Sequence, residues 1–248
     1  LEFRLEDGVG YLRIRSFHPG RIRRAKQKFK PFFRQVFEEL AVTEVENLII
    51  DIRNNGGGSE SVFMPLLSYL LDESFLVYSE LSTNTTSIPD HHLYPFDNPA
   101  KLEKYAKRRL TKRGDRYWDL KDPSTKKTEP KQPHFGGKVY VIINEQSYSA
   151  AGDFCGVIQQ YQRATFVGEE TGGNPYLNVA GESLTLVLPH TGIRAEIPIL
   201  KFVINNDQEN TGNGMIPDHR VPITIEDALV YKDPVLPFVK KLIAKQRK

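Results

Sequence analysis

At 248 residues, 39% hydrophobic and 26% charged, the chain has the composition of an ordinary globular protein with enough apolar side chains for a sizeable core. No apolar run approaches the roughly 18 to 20 residues that cross a bilayer, and the lone Cys155 excludes an internal disulfide or a cysteine-rich metal site. The net charge of +3 hides a basic stretch, residues 101–138, with 13 Lys/Arg against 5 Asp/Glu; lacking a recognisable nucleic-acid module, it reads as a solvated insertion, and no nucleic-acid partner is expected.

The opening residues alternate like strands and predict Glu2–Leu5 and Gly10–Arg15, turning at "EDGVG". Phe29, Phe32, Phe33, Val36, Phe37 and Leu40 then recur at helical spacing, which predicts one helix over Arg21–Leu40 with that stripe in the core. "NLIIDIR" (Asn47–Arg53) is a short apolar run closed by glycines, the pattern of a buried parallel strand. "SESVFMPLLSYLLD" follows as a helix capped by Ser59 or Ser61. A similar grammar of strand, turn and helix returns at "KVYVIIN" (Lys138–Asn144), "EQSYS" and "AAGDFCGVIQQY", with a further strand near Ala164–Gly168. Repeated units of this kind imply parallel pairing through right-handed crossovers, hence an α/β core. Between the two units, residues 82–137 are rich in Thr, Pro, Asp, Lys and Arg and carry one helix at Asn98–Arg109; they are expected as an insertion over the active face. Further on, "ESLTLVLP" and "IRAEIPI" predict an antiparallel pair turning at "HTG", and Tyr231–Lys248 predicts a lysine-rich terminal helix.

Function turns on "EQSYSAAGDF" (Glu145–Phe154). A serine is a weak nucleophile unless a base takes its proton and donors receive the oxyanion. A helix starting near Ser149 would aim free backbone amides and the positive end of its dipole at a reacting carbonyl, and Ala150, Ala151 and Gly152 would let a peptide backbone come close. Read locally, Ser147 and Ser149 serve equally well as helix caps. "DIRNNGGG" (Asp51–Gly58) adds a second observation, because glycines after a buried strand expose amides at the carboxyl edge of the sheet, where open α/β folds gather their sites. That run lacks both the Lys-Ser/Thr of a phosphate loop and the spacing of a dinucleotide fingerprint. No paired-carboxylate, histidine-cluster or HExxH pattern supports a metal, and no cofactor is expected.

Taken in order, "LIIDIRNNGGG", "VYVIINEQSYSAAGDF", "RATFVGEETGGNP" and "NGMIPDHRVP" resemble the tail-specific or C-terminal processing serine peptidases, over nearly the whole chain apart from residues 82–137. "GEETGGN" followed by "LTLVLPHTGIRAEIPI" is most similar to the bacterial branch related to tricorn core protease and the retinoid-binding repeats. The resemblance implies a crotonase/Clp-protease-like spiral of ββα units, a catalytic core over residues 1–248, a peptide or protein substrate, and a periplasmic or secreted location. It places the family nucleophile on Ser149, half of the oxyanion hole on the amide of Ala150, and the other half on Gly58, ahead of Gly57.

The base is less direct. The lysine used by the processing branch aligns with Asn174, which cannot accept a proton in that role, so a Ser-Lys dyad is not expected, although Lys201 could in principle reach inward from another strand. The tricorn-like branch uses a histidine oriented by a carboxylate. Glu209 best matches that carboxylate, with Asp207 second, although the spacing to Pro217 is two residues longer than the pattern. Of the six histidines, His18 in "SFHPG" is the best internal candidate; His91 and His92 lie in the insertion, and His134, His190 and His219 read as loop or turn residues. The branch carries its histidine in a segment ahead of the core, so the base is expected upstream of Leu1, together with any PDZ domain. Asp218 reads as a turn or cap residue, and Glu169 and Glu170 as holding the "TGGN" loop. Three functions share these features: a serine endopeptidase, a non-catalytic peptide or hydrophobic-ligand binding module, and a crotonase-type acyl-thioester enzyme.

Overall fold

A computed structural model of the chain describes residues 1–88, 90–115, 117–179 and 181–246. Strands β1 (Glu2–Glu6) and β2 (Val9–Arg13) form the expected hairpin, turning on Asp7 and Gly8 at positive φ. The single helix expected over Arg21–Leu40 is instead two, α1 (Pro19–Arg24) and α2 (Phe29–Val42). Lys26 takes a left-handed φ of 56°, and the Gln27 side chain then reaches back to the start of β1, donating to the Leu1 carbonyl at 2.7 Å. The intervening Arg and Lys residues suit a helix as well as a loop, so the apolar period ran through them unbroken. Phe33, Val36, Phe37 and Leu40 are buried on α2 as expected.

The remaining elements in chain order are β3 (Asn47–Asp51), α3 (Glu60–Leu70), β4 (Tyr78–Thr83), α4 (Pro99–Arg109), β5 (Leu110–Arg113), β6 (Tyr117–Leu120) and β7 (Lys138–Ile143). Then follow α5 (Ala150–Gln160), β8 (Thr165–Gly168), β9 (Leu177–Asn178), β10 (Ser183–Val187), β11 (Arg194–Pro198), β12 (Lys201–Ile204), β13 (His219–Arg220), α6 (Ile225–Leu229) and α7 (Val235–Gln246).

The main sheet has the order β1-β2-β3-β7-β8-β13 and is parallel from β2 to β13. The middles of its central strands, Leu48–Ile50 and Val139–Ile143, are apolar on both faces because both faces are covered. Leu48, Ile50, Val139, Val141 and Ile143 face α2, α3 and α5, whereas Ile49, Tyr140, Ile142 and Val167 face Val235, Val239 and Ile243 of α7. This mixed α/β layering brings the carboxyl ends of β3 and β7 side by side, with Ile50 opposite Val141.

A second sheet, β5-β6-β4-β12-β9, flanks α5, and β10 pairs with β11 in the hairpin expected from sequence. Part of residues 82–137 is built into this sheet, with β6 on β4 and a small core of Leu81, Leu120 and Leu200 beneath. Its strands "LTKR" and "YWDL" bury little and carry charge, so composition read them as loop. The terminal helix begins at Val235, later than expected, because the Asp233 carboxylate accepts from the amides of Val235 and Leu236; residues 247 and 248 of the expected span lie outside the described residues. Among the described residues no helix is long and apolar enough to cross a membrane.

Candidate active site

Two turns meet at the carboxyl edge of the main sheet. The first follows β3. Buried Asn55 organises it: its Nδ2 donates to the Ile14 carbonyl at 2.9 Å, while its Oδ1 accepts from the amides of Phe17 and Gly57 at 3.3 and 3.0 Å. The Gly57 amide is thereby consumed, and among the described residues no hydrogen bond engages that of Gly58. Gly58 has φ 149°, and a methyl there would lie 2.1 Å from the Phe17 carbonyl carbon, so no other residue fits without moving the backbone.

The second turn joins β7 to α5. Ser147 is fully buried, donating to the Ile52 carbonyl at 2.9 Å and accepting from the Asn144 amide at 3.2 Å, which makes it the supporting residue between the two turns. Ser149 occupies the N-cap position of α5 but makes no capping hydrogen bond with its side chain. Its backbone sits at φ 55°, ψ −129°, a conformation that costs a non-glycine residue about 1–3 kcal/mol. A helix cap would need neither the strain nor an idle hydroxyl. Among the described residues the Ala150 amide, first in the helix, also has no hydrogen-bond partner. The two turns are in contact: a methyl on Gly57 would stand 2.7 Å from Ser149 Cβ and 2.9 Å from the Ala150 nitrogen.

A third segment closes the other side. A methyl on Gly173 would lie 2.8 Å from Tyr148 Cα and 3.0 Å from the Ser149 nitrogen, and the Gly173 amide donates to the Ser147 carbonyl at 3.1 Å. Thr171 Oγ1 braces this loop by donating to the Gly173 carbonyl and accepting from the Met215 amide, each at 2.7 Å. Alongside lies an open cleft of about 590 Å³ lined by Glu145, Glu169, Ile216, Pro217, Arg220 and Ile223 among others. The other large cleft, of about 630 Å³, lies at the amino ends of β3 and β7, on the edge opposite Ser149.

The internal candidates for the base, His18 and Lys201, are occupied elsewhere. His18 Nδ1 accepts from the amides of Gly20 and Arg21 at 3.0 and 3.4 Å, capping α1, which leaves the proton of the neutral ring on Nε2 and no lone pair there for Ser149. Lys201 Nζ pairs with Glu80 at 3.3 Å. Asn174 bonds Asn210 and the Asn213 carbonyl through Nδ2 and the amides of Tyr176 and Leu177 through Oδ1, so it ties loops together. Asp207 meets Gln160 at the far end of α5, about 15 Å from Ser149 at 1.5 Å per residue, and Glu209 is exposed with no hydrogen bond to Ser149 among the described residues. Asp218 accepts from the Phe166 amide at 2.7 Å and latches β13 to β8, and Glu170 accepts from the Gly214 amide at 2.9 Å. Among the described residues no group of three or more His, Cys, Asp or Glu is arranged to hold a metal.

Sequence reading missed three polar residues that sit under these turns with side-chain partners far along the chain. Asn55 is one; a polar residue in "NNGGG" reads as turn until its burial demands partners. Arg53 is the second, its guanidinium bonded to Asp51 Oδ2 at 2.7 Å and to both Asp233 oxygens at 2.9 Å, which fastens the start of α7 beneath the glycine turn. Tyr11 joins that network at 2.7 Å from Asp51, and its phenol is pushed up to about 12, by burial first and the Asp51 charge second. The third is Asp153, one turn along α5 from Ser149. Tyr78 Oη donates to it at 2.7 Å and Asn178 Nδ2 at 3.2 Å, yet burial raises its carboxyl to about 7 against those donors.

Residues 8–221 match the family model described as peptidase family S41. Among solved structures the chain is similar to mature CPAF complexed with lactacystin, at TM-score 0.61 and 21% identity, over 96% of this chain and 52% of that one. It is similar to a Parabacteroides merdae protein assigned as a peptidase, at TM-score 0.60 and 22% identity, over 97% and 63%. A third likeness is to the photosystem II D1 C-terminal processing protease, at TM-score 0.53 and 18% identity, over 86% and 42%. At these identities the likeness carries the fold, and the chain spans between 42% and 63% of the lengths of those structures.

Proposed function

This chain belongs to peptidase family S41, a family of serine peptidases, and on that premise we propose that it is the catalytic core of an endopeptidase with Ser149 as nucleophile. The observation that carries the reading is the backbone of Ser149: strained at positive φ, with its hydroxyl unused by the helix it precedes, and pressed against a glycine turn. Strain of this kind persists where function uses it.

In this reading Ser149 Oγ attacks the carbonyl carbon of the scissile peptide while a base takes the hydroxyl proton. The carbonyl π electrons move onto oxygen, and the amides of Ala150 and Gly58 receive the oxyanion, helped by the dipole of α5. Collapse of the tetrahedral intermediate breaks the C–N bond; the amine leaves with the proton, and water then hydrolyses the acyl-enzyme by the reverse sequence. The base is a histidine from a segment preceding residue 1, oriented by Glu209. The ββα units of the main sheet coil as a crotonase-like spiral, and an extended peptide adds alongside the short edge strand β9, where Leu177 and the following Val179 are exposed. The substrate is a peptide or protein, and the compartment is periplasmic or secreted.

The test is hydrolysis of an unstructured polypeptide by the full-length protein. Cleavage that disappears in Ser149→Ala while binding persists supports the reading. Cleavage that survives it removes Ser149, and binding without cleavage in the unaltered protein makes the fold a peptide-binding module.

A further inference from the structure

Below the first turn of α5 lies a polar cluster that the peptidase reading leaves unused. Asp153 is only 2% exposed, and among the described residues it has no paired cation; its side-chain partners there, Tyr78 and Asn178, are both neutral donors. They come from different strands of the second sheet, β4 and β9, so the carboxylate is where that sheet is joined to the nucleophile helix. The Asp153 amide donates to the Ser149 carbonyl at 3.1 Å, which ties the first turn of α5 to the nucleophile's backbone. The chain that delivers Asn178 leaves the Gly173 loop packed on Ser149, and a methyl on Gly156 would stand 2.0 Å from the Pro175 carbonyl oxygen, so this path meets α5 at Gly173, at Pro175 and at Asn178.

We propose that Asp153 is a positioning residue for Ser149: its ionised carboxylate, held by Tyr78 and Asn178, clamps β9 and the Gly173 loop against the nucleophile turn. The proposal rests on Ser149 as nucleophile. Its logic is one of donors and acceptors. An ionised carboxylate accepts from both neighbours at once, whereas a protonated one becomes a donor and leaves the Tyr78 hydroxyl competing for an acceptor. Protonation therefore relieves the cost of a buried charge, which stabilises the fold as a whole, and at the same time loosens the two hydrogen bonds that make the clamp. Glu60 of α3 faces the same cluster and repels both Asp153 and an ionised Tyr78, Asp122 acts on Tyr78 in the same sense, and the Cys155 thiol on α5 is itself pushed up by burial and by Asp153. With its carboxyl raised to about 7, Asp153 changes state near neutrality, and the competent form lies on the alkaline side.

The experiment measures the rate of fluorophosphonate labelling of the full-length protein from pH 5.5 to 9. Tyr78→Phe removes a donor that favours the charged carboxylate, so the acidic limb of the profile should move up by about one pH unit, which a histidine base elsewhere would not do. Asp153→Asn should label at least tenfold more slowly at pH 8. A labelled Tyr78→Phe protein with an unmoved limb overturns the proposal, and if Asp153→Asn does not fold, Tyr78→Phe alone decides. Hydrogen exchange at the amides of residues 150–153 separates this from the Ser149 reading. Absent labelling, or labelling that survives Ser149→Ala, defeats that reading. Protection at those amides that falls below pH 7 relative to the core amides of β3 and β7 still supports the clamp, and a ratio unchanged with pH overturns it.

Discussion

Replacing Ser149 by glycine should make the protein more stable as it makes it inert. The native φ of 55° costs a serine about 1–3 kcal/mol, while glycine accepts it freely and gives back about 0.4–1 kcal/mol through the entropy of the unfolded chain. The net gain is about 1 kcal/mol, or a rise in Tm of about 2–4 °C for a chain of this size. Ser149→Ala keeps the strain and, since the hydroxyl caps nothing, should stay within about 0.5 kcal/mol of the parent. A capping serine behaves in the opposite way, losing about 0.5–2 kcal/mol on truncation to alanine and only a few tenths on change to glycine. Urea denaturation and calorimetry of the three proteins at one pH separate the cases. A loss of 1 kcal/mol or more in Ser149→Ala, with no gain in Ser149→Gly, would refute the argument from strain.

Arg53→Ala leaves Asp51, whose side chain is 0% exposed, without its guanidinium and should cost about 3–5 kcal/mol in urea denaturation; a loss under 1 kcal/mol would mean that the Asp51–Arg53–Asp233 staple does not hold α7. Gly58→Ala drives a methyl into the Phe17 carbonyl and displaces one oxyanion donor, so fluorophosphonate labelling should fall about a hundredfold or more, and unchanged labelling would remove Gly58 from the site. Asp153 gives a pH signature in stability. Its folded carboxyl, raised from 3.8 to about 7, keeps its proton where the unfolded chain has lost it, so its contribution declines as pH rises from about 4 to 7 and is flat above. At 1.36 kcal/mol per unit the decline approaches about 4 kcal/mol, and it should appear as a falling stability of the parent relative to Asp153→Asn in urea midpoints across that range; a difference constant with pH contradicts it.

The parallel core was legible because its strands are short apolar runs bounded by small-residue turns, and both faces of β3 and β7 are covered as such runs require. Helix α5 was legible to one residue, and Ser147 and Ser149 are distinguished in the structure by burial and backbone angle, neither of which the letters carry. What escaped the sequence depends on partners far along the chain. The break at Lys26 is followed by Gln27, whose side chain reaches Leu1; β5 and β6 are strands because β4 offers an edge; and Asp153 looked like an ordinary helix residue until Tyr78, 75 positions earlier, reached it. His18 was the best internal base by its nearness to a strand end, and it lies beside the site, its backbone against Gly58, yet its ring is spent on capping α1. Propensity sees a histidine before proline and cannot see which nitrogen is used.

The most direct test of Ser149 as nucleophile is the site of covalent modification. After treatment of the full-length protein with a fluorophosphonate, digestion and tandem mass spectrometry should find the phosphonyl adduct on Ser149 and on neither Ser147 nor any other serine. An adduct on another serine, or none on protein shown to be folded, would contradict the account.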